Sequence, residues 1–184
     1  MIPSVTLVLG TCLSNALVLG ADSITQVLTL DSNNNLLDVR SMIDRKLFKF
    51  ARAGVATYGA GPPGVRVPDV IASEAQSDWS AQDAISFLQR RFKGADEMRA
   101  LVGGVDDHGA PALWDVCMSG ASPQRIVPLL GPLPIAVRGK KNLEVDQRLP
   151  GTPAGVIEQM LELFAENAGI EVGPPYEFLV IPGT

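Results

Sequence analysis

Two apolar runs open the chain, at 6–9 and 16–21, with Leu13-Ser14-Asn15 as a tight turn between them. Both runs are near-continuously apolar, which predicts strands buried on both faces. Residues 23–30 continue as an extended arm, and the polar run 31–35 turns the chain. Runs 47–50 and 55–58 predict a second hairpin turning at Ala53-Gly54, ended by Gly59-Ala60-Gly61. Only a short helix fits after Pro62-Pro63-Gly64, at 68–76, with Pro68 suited to its first turn. Ser80, with Asp83 three residues on, reads as the cap of a helix over 81–93, whose apolar stripe is Ala81, Ala84, Ile85, Leu88 and Phe92. Residues 101–105 and 112–117 pair around Asp106-Asp107-His108-Gly109, and 125–127 forms a further short strand. Pro128, Pro132 and Pro134 exclude a regular helix or central strand from the next segment. Thr152-Pro153 starts a last helix over 153–168 with Val156, Met160, Leu163 and Phe164 on its apolar face, and 176–181 is a closing strand.

The pattern predicts an α+β fold of two stacked, mainly antiparallel sheets with helices on their outer faces. A length of 184 residues suits one domain, taken as 1–184, with a core of its own. No apolar run reaches 18 residues, so no membrane span is expected. A formal charge of −5 without a basic stripe argues against nucleic acid. Cys12 and Cys117 lie in apolar strand-like runs and read as buried free thiols of a cytoplasmic protein. His108, the single histidine, reads as a turn residue, which leaves no histidine-based triad and no metal-ligating cluster. No cofactor or metal is expected.

The first hairpin returns Asp22 to the side of Thr6, and the second would bring Lys46 to the same place. A hydroxyl, a carboxylate and an ammonium then meet at one point. A buried lysine readily loses its proton, and a neighbouring aspartate orients it, which is a way to activate a threonine as nucleophile. The blander readings are an exposed strand-end lysine for Lys46 and a turn glycine for Gly59.

Thr6, followed by GADS with Asp22 sixteen residues on, then KLFKF, YGAG and LVGGVDDHGAPALWDV, resembles the proteasome β-type subunits and bacterial proteasome-like proteins of the N-terminal nucleophile hydrolase superfamily. The resemblance implies a four-layer α-β-β-α sandwich, here with a shortened helix layer. It implies Thr6 as nucleophile, Asp22 and Lys46 as its proton-handling partners, and the Gly59 N–H as oxyanion donor. The implied activity is peptide-bond hydrolysis by an N-terminal threonine inside a homo-oligomeric ring. Peptides or unfolded proteins would be substrates, and an unfoldase ATPase a candidate partner.

The chain departs from that family at several points. Its nucleophile is the N-terminal residue, whereas residues 1–5 precede Thr6 here and would act as a short leader. Ser4, eighteen residues before Asp22, is the second candidate nucleophile, and Thr11, only eleven before it, the third. The run 136–140 carries no serine to assist the threonine, and Glu171 is the one stand-in for a later family aspartate. These departures keep open an alternative: a catalytically inactive subunit of the same fold that acts as scaffold or binding module.

Overall fold

The computed structural model describes residues 6–33, 35–126, 136–139, 151–169 and 172–183. Among these, eleven strands and three helices follow the order β1 (Leu7–Cys12), β2 (Ala16–Ala21), β3 (Ile24–Leu30), β4 (Leu36–Ile43), β5 (Leu47–Lys49), β6 (Ala53–Gly59), α1 (Val67–Glu74), α2 (Ala81–Arg91), β7 (Met98–Val105), β8 (Pro111–Cys117), β9 (Gln124–Ile126), β10 (Ala136–Gly139), α3 (Pro153–Glu166) and β11 (Glu177–Pro182). The fold is α+β with three sheets, where the apolar pattern predicts two. A four-stranded sheet runs β10-β1-β2-β11, a five-stranded sheet runs β5-β6-β7-β8-β9, and β3-β4 form a separate two-stranded ribbon. Every ladder is antiparallel.

Side chains alternate across each strand, so one strand feeds two cores. In β1, Leu7 and Leu9 meet Val156, Met160 and Phe164 of α3, while Val8 joins the cluster shared with the five-stranded sheet. That shared cluster sets Leu17 and Leu19 of β2 with Ala56 of β6 and Leu101 of β7. The opposite face of β6 and β7 carries Val55, Ala100 and Val102 against Ala84, Ile85 and Leu88 of α2 and Ile71 of α1. Burial on both faces explains why β1 and β2 read as unbroken apolar runs.

The capping signals in the sequence are realised. The Asp83 N–H donates to Ser80 Oγ at 3.2 Å and the Ser80 N–H to Asp83 Oδ2 at 3.0 Å, a reciprocal box at the start of α2. Thr152 accepts from the Gly155 N–H at 3.3 Å, with Pro153 opening α3. The turn expected at Ala53-Gly54 lies earlier, where the Phe50 N–H donates to the Ala53 carbonyl at 2.8 Å. Ala53 and Gly54 are strand residues, and Gly54 serves sheet contact: a Cβ there would stand 2.4 Å from Leu179 Cδ2 in the facing sheet.

The ribbon is the element that the sequence pattern does not predict. Asp31 ends β3 by accepting from the N–H groups of Asn33 and Asn35, each at 2.8 Å. The returning strand β4 is largely exposed, with Leu37 and Ile43 each 66% accessible. Cys12 and Cys117 are free but only partly buried, because both lie at strand ends. Among the described residues no helix is long and apolar enough to cross a membrane.

Candidate active site

Thr6 lies immediately before β1 and Asp22 immediately after β2, and hairpin pairing sets them side by side. The Leu7 N–H donates to Asp22 Oδ1 at 2.9 Å, and the Asp22 N–H returns a bond to the Leu7 carbonyl at 3.2 Å. The Ile24 N–H donates to the other carboxylate oxygen at 3.1 Å. Asp22 is thus held by the backbone at both oxygens before any side chain reaches it. Lys46 lies immediately before β5, and its carbonyl accepts the Thr57 N–H at 2.9 Å.

The Lys46 ammonium joins the two hairpins. Its Nζ is 3.1 Å from each oxygen of Asp22 and 3.2 Å from Thr6 Oγ1, and it also donates to the Ile24 carbonyl. Thr6, Asp22 and Lys46 are all buried, at 4%, 1% and 5% exposure, so water does not screen the pair. Burial pushes the Lys46 ammonium below the usual lysine range, and Asp22 and Asp44 pull it back. Burial likewise raises the Asp22 carboxyl, opposed by Lys46 and the N–H groups of Leu7 and Ile24. Both shifts reduce the cost of moving a proton from the lysine.

Thr6 lines a cavity of about 420 Å³. Thr6, Lys46 and Gly59 form one side of it, Thr25, Val27 and Met42 of the ribbon another, and Arg66, Val67 and Pro68 at the start of α1 a third. Gly59 ends β6 with φ +80°, and a Cβ there would stand 2.1 Å from the Glu97 carbonyl oxygen, so only glycine fits. The structure therefore brings Thr6, Asp22, Lys46 and Gly59 to one site. Thr11, the third candidate nucleophile, is excluded from it: it sits within β1, paired with Val18, buried and away from the cavity. Ser4, residues 1–5 and Glu171 lie outside the described residues.

The fold is similar to that of Anbu. Two solved structures carry this likeness. Anbu (ancestral beta-subunit) from Yersinia bercovieri superposes with a TM-score of 0.57 at 15% identity, over 96% of this chain and 81% of that one. An Anbu (Gly-1) mutant from Hyphomicrobium sp. strain MC1 gives 0.60 at 16% identity, with the same coverage. No protein-family model and no curated protein matches the sequence. These findings correct the expected kinship with proteasome β-type subunits: the structural likeness is to Anbu, and no sequence family supports the narrower assignment. The correction has a physical basis. A Thr6-to-Asp22 interval is what one hairpin needs to return a carboxylate beside its start, so the spacing marks the hairpin rather than one family. At such low identity the Anbu likeness speaks for the fold alone.

Two residues of the site went unread in the sequence. Asp44 is buried and pairs with Arg66 at 3.1 Å, and both line the cavity. The run Asp44-Arg45-Lys46 is a visible charge cluster, yet no spacing rule links Asp44 to an arginine 22 residues away.

Proposed function

We propose that the chain is a proteasome-related subunit on an Anbu-like fold whose Thr6 hydroxyl hydrolyses peptide bonds once residues 1–5 are removed. The observation that carries this reading is the buried Lys46 Nζ held between Thr6 Oγ1 and both oxygens of Asp22, at the wall of a cavity. The stacking of helix and sheet cores supports a four-layer α-β-β-α domain as its scaffold.

In this reading neutral Lys46 takes the Thr6 proton as Oγ1 bonds to the substrate carbonyl carbon. The Gly59 N–H stabilises the oxyanion. The C–N bond breaks, the proton passes to the leaving amine, and an ester remains on Thr6. Water then cleaves the ester and restores the hydroxyl. A free Thr6 amine would share the proton handling, whereas the amide to Val5 has no basic lone pair to offer.

Exposed apolar side chains such as Val27, Leu37 and Ile43 support assembly of several copies, as in a ring. Sedimentation at micromolar concentration should show a species well above the 19.5 kDa chain. An unfoldase partner remains part of this reading through the substrate, since a folded protein does not fit a cavity of this size.

A second reading is an assembling but inactive subunit. It is favoured by the Lys46 contacts, all to acceptors that the three N–H groups of an ammonium reach when the two Asp22 oxygens share one of them. A chain beginning at Thr6 separates the two. It should hydrolyse fluorogenic peptide amides and carry an electrophilic acyl probe on Thr6 by mass spectrometry, and Thr6→Ala and Lys46→Ala should abolish both. An assembled but inert chain would decide for the scaffold.

A further inference from the structure

We propose that Asp44, clamped by Arg66, is the positioning residue that fixes Lys46 and sets how tightly Lys46 holds its proton. The inference rests on reading Lys46 as the proton acceptor of the site, and it concerns residues to which that reading assigns no role.

The backbone geometry comes first. The Asp44 N–H donates to the Ser23 carbonyl at 2.8 Å, which ties it to the residue after Asp22. Its carboxylate accepts the Arg45 N–H at 2.9 Å and so holds the turn that leads into Lys46. On the other side of Lys46, the Thr57 N–H fixes the Lys46 carbonyl. The three residues 44–46 therefore bridge the end of the first hairpin and strand β6, with Asp44 as the first pier.

Arg66 closes the clamp from α1. Its guanidinium donates to Asp44 Oδ1 at 3.1 Å and to Oδ2 at 3.4 Å, and a third nitrogen reaches Asp69 Oδ1 at 3.4 Å. Arg66 occupies the N-cap position of α1 without a side-chain cap of its own, so its long side chain is free to reach across. The arginine is half exposed and the aspartate is buried, with side chains 52% and 7% accessible. The charge on Asp44 thus faces inward, while its counter-charge can be removed from outside without opening a core.

The charged groups around Lys46 are few among the described residues. Asp22 comes from the end of β2, Asp44 and Arg45 from the turn before β5, and Arg66 and Asp69 from the start of α1. Arg45 turns away, donating through Nε to the Leu47 carbonyl at 2.8 Å and lying over the Phe48 ring at 5.4 Å. Strand β6 adds Tyr58, whose hydroxyl donates to Asp115 at 2.6 Å. Asp44 is the second anion to act on Lys46, and Arg66 carries the opposite charge on the same carboxylate. Their effects on Lys46 must then have opposite signs.

The test reads the Lys46 proton directly, in the full chain labelled with ε-13C lysine. The Lys46 resonance is assigned by its loss in Lys46→Arg, and its midpoint is followed against pH. Asp44→Asn keeps the side-chain shape and removes the charge, and should lower the midpoint by roughly one unit. Arg66→Gln leaves Asp44 unneutralised and should raise it, and Arg66→Lys should return it towards the wild-type value. Midpoints that agree within about 0.2 unit, or that move in the same direction, would overturn the proposal, given shifts of roughly one unit or more for a nearby charge. Should Asp44→Asn fail to fold, the exposed position of Arg66 leaves Arg66→Gln to decide alone, and no rise there overturns the idea. Cleavage plays no part in this readout, so a chain that hydrolyses nothing defeats the peptidase reading and leaves this one to its own result.

Discussion

The Leu7 N–H, the first backbone donor after Thr6, donates to Asp22 Oδ1 at 2.9 Å. A main-chain bond therefore aims the carboxylate at the hydroxyl's neighbour, and Lys46 arrives at an acceptor already in place. Removing Lys46 strands that acceptor in a dry site. Lys46→Met should cost about 3–5 kcal/mol in urea unfolding, the size expected when one partner of a buried pair is lost. The double change Lys46→Met with Asp22→Asn should recover much of it. A double-variant loss equal to the sum of the Lys46→Met and Asp22→Asn losses would show that the pair is not coupled.

The same pair gives a pH dependence of stability with two opposite slopes. Burial raises Asp22 above its ordinary 3.8. Between 3.8 and its folded value the folded chain keeps a proton that the unfolded chain has lost, so this contribution falls as pH rises. Burial lowers Lys46 below its ordinary 10.5. Between its folded value and 10.5 the unfolded chain keeps the proton, so this contribution grows as pH rises and is complete above 10.5. Subtracting the urea midpoints of the Asp22→Asn, Lys46→Met double variant from those of wild type should reveal both slopes. A flat difference would contradict them.

Gly59 and Gly64 make a controlled comparison. Both have positive φ, at +80° and +72°. A Cβ at Gly59 meets the Glu97 carbonyl oxygen, whereas at Gly64 it meets nothing within 4 Å. Gly64→Ala should cost only the backbone strain, roughly 1–3 kcal/mol. Gly59→Ala should cost distinctly more in thermal or urea unfolding. Similar losses at the two positions would mean that β6 shifts to relieve the clash.

Gly54 tests how closely the two larger sheets approach. Gly54→Ala presses on Leu179 Cδ2 and should destabilise by about 1–3 kcal/mol, the usual penalty for an overfilled core. In a Leu179→Ala background the space exists, and the added methyl should cost far less. Additive losses would place the strain elsewhere.

The sequence made much of this legible, for reasons visible in single residues. Residues 16–21 match β2 because both faces of that strand are buried and every position is apolar or small. The convergence of Thr6, Asp22 and Lys46 was readable because hairpin length is arithmetic. Gly54 misled, because a glycine after alanine looks like a turn, while here its missing side chain serves sheet contact. Strand β4 was hidden because Asp38 and Arg40 interrupt its apolar residues and no buried face imposes an alternation. The Asp44–Arg66 pair was hidden because ion pairs between distant segments have no local pattern. The narrower family kinship failed because the spacing marks a hairpin, which is not particular to one family.

The ribbon β3-β4 gives the cavity walls of unequal stiffness. Thr6, Lys46 and Gly59 are anchored in sheets whose faces are filled by core side chains. Among the described residues, Thr25, Val27 and Met42 belong to two strands that pair with each other and with neither larger sheet. A two-stranded hairpin is marginal by itself in water, so its amides should exchange hydrogen through local opening while those of β1, β2, β6 and β7 wait for global unfolding. The chemistry-bearing side of the cavity thus behaves as an anvil and the ribbon side as a spring, and guests of different girth would be accommodated by displacing the ribbon while the distance from Lys46 to Thr6 stays constant.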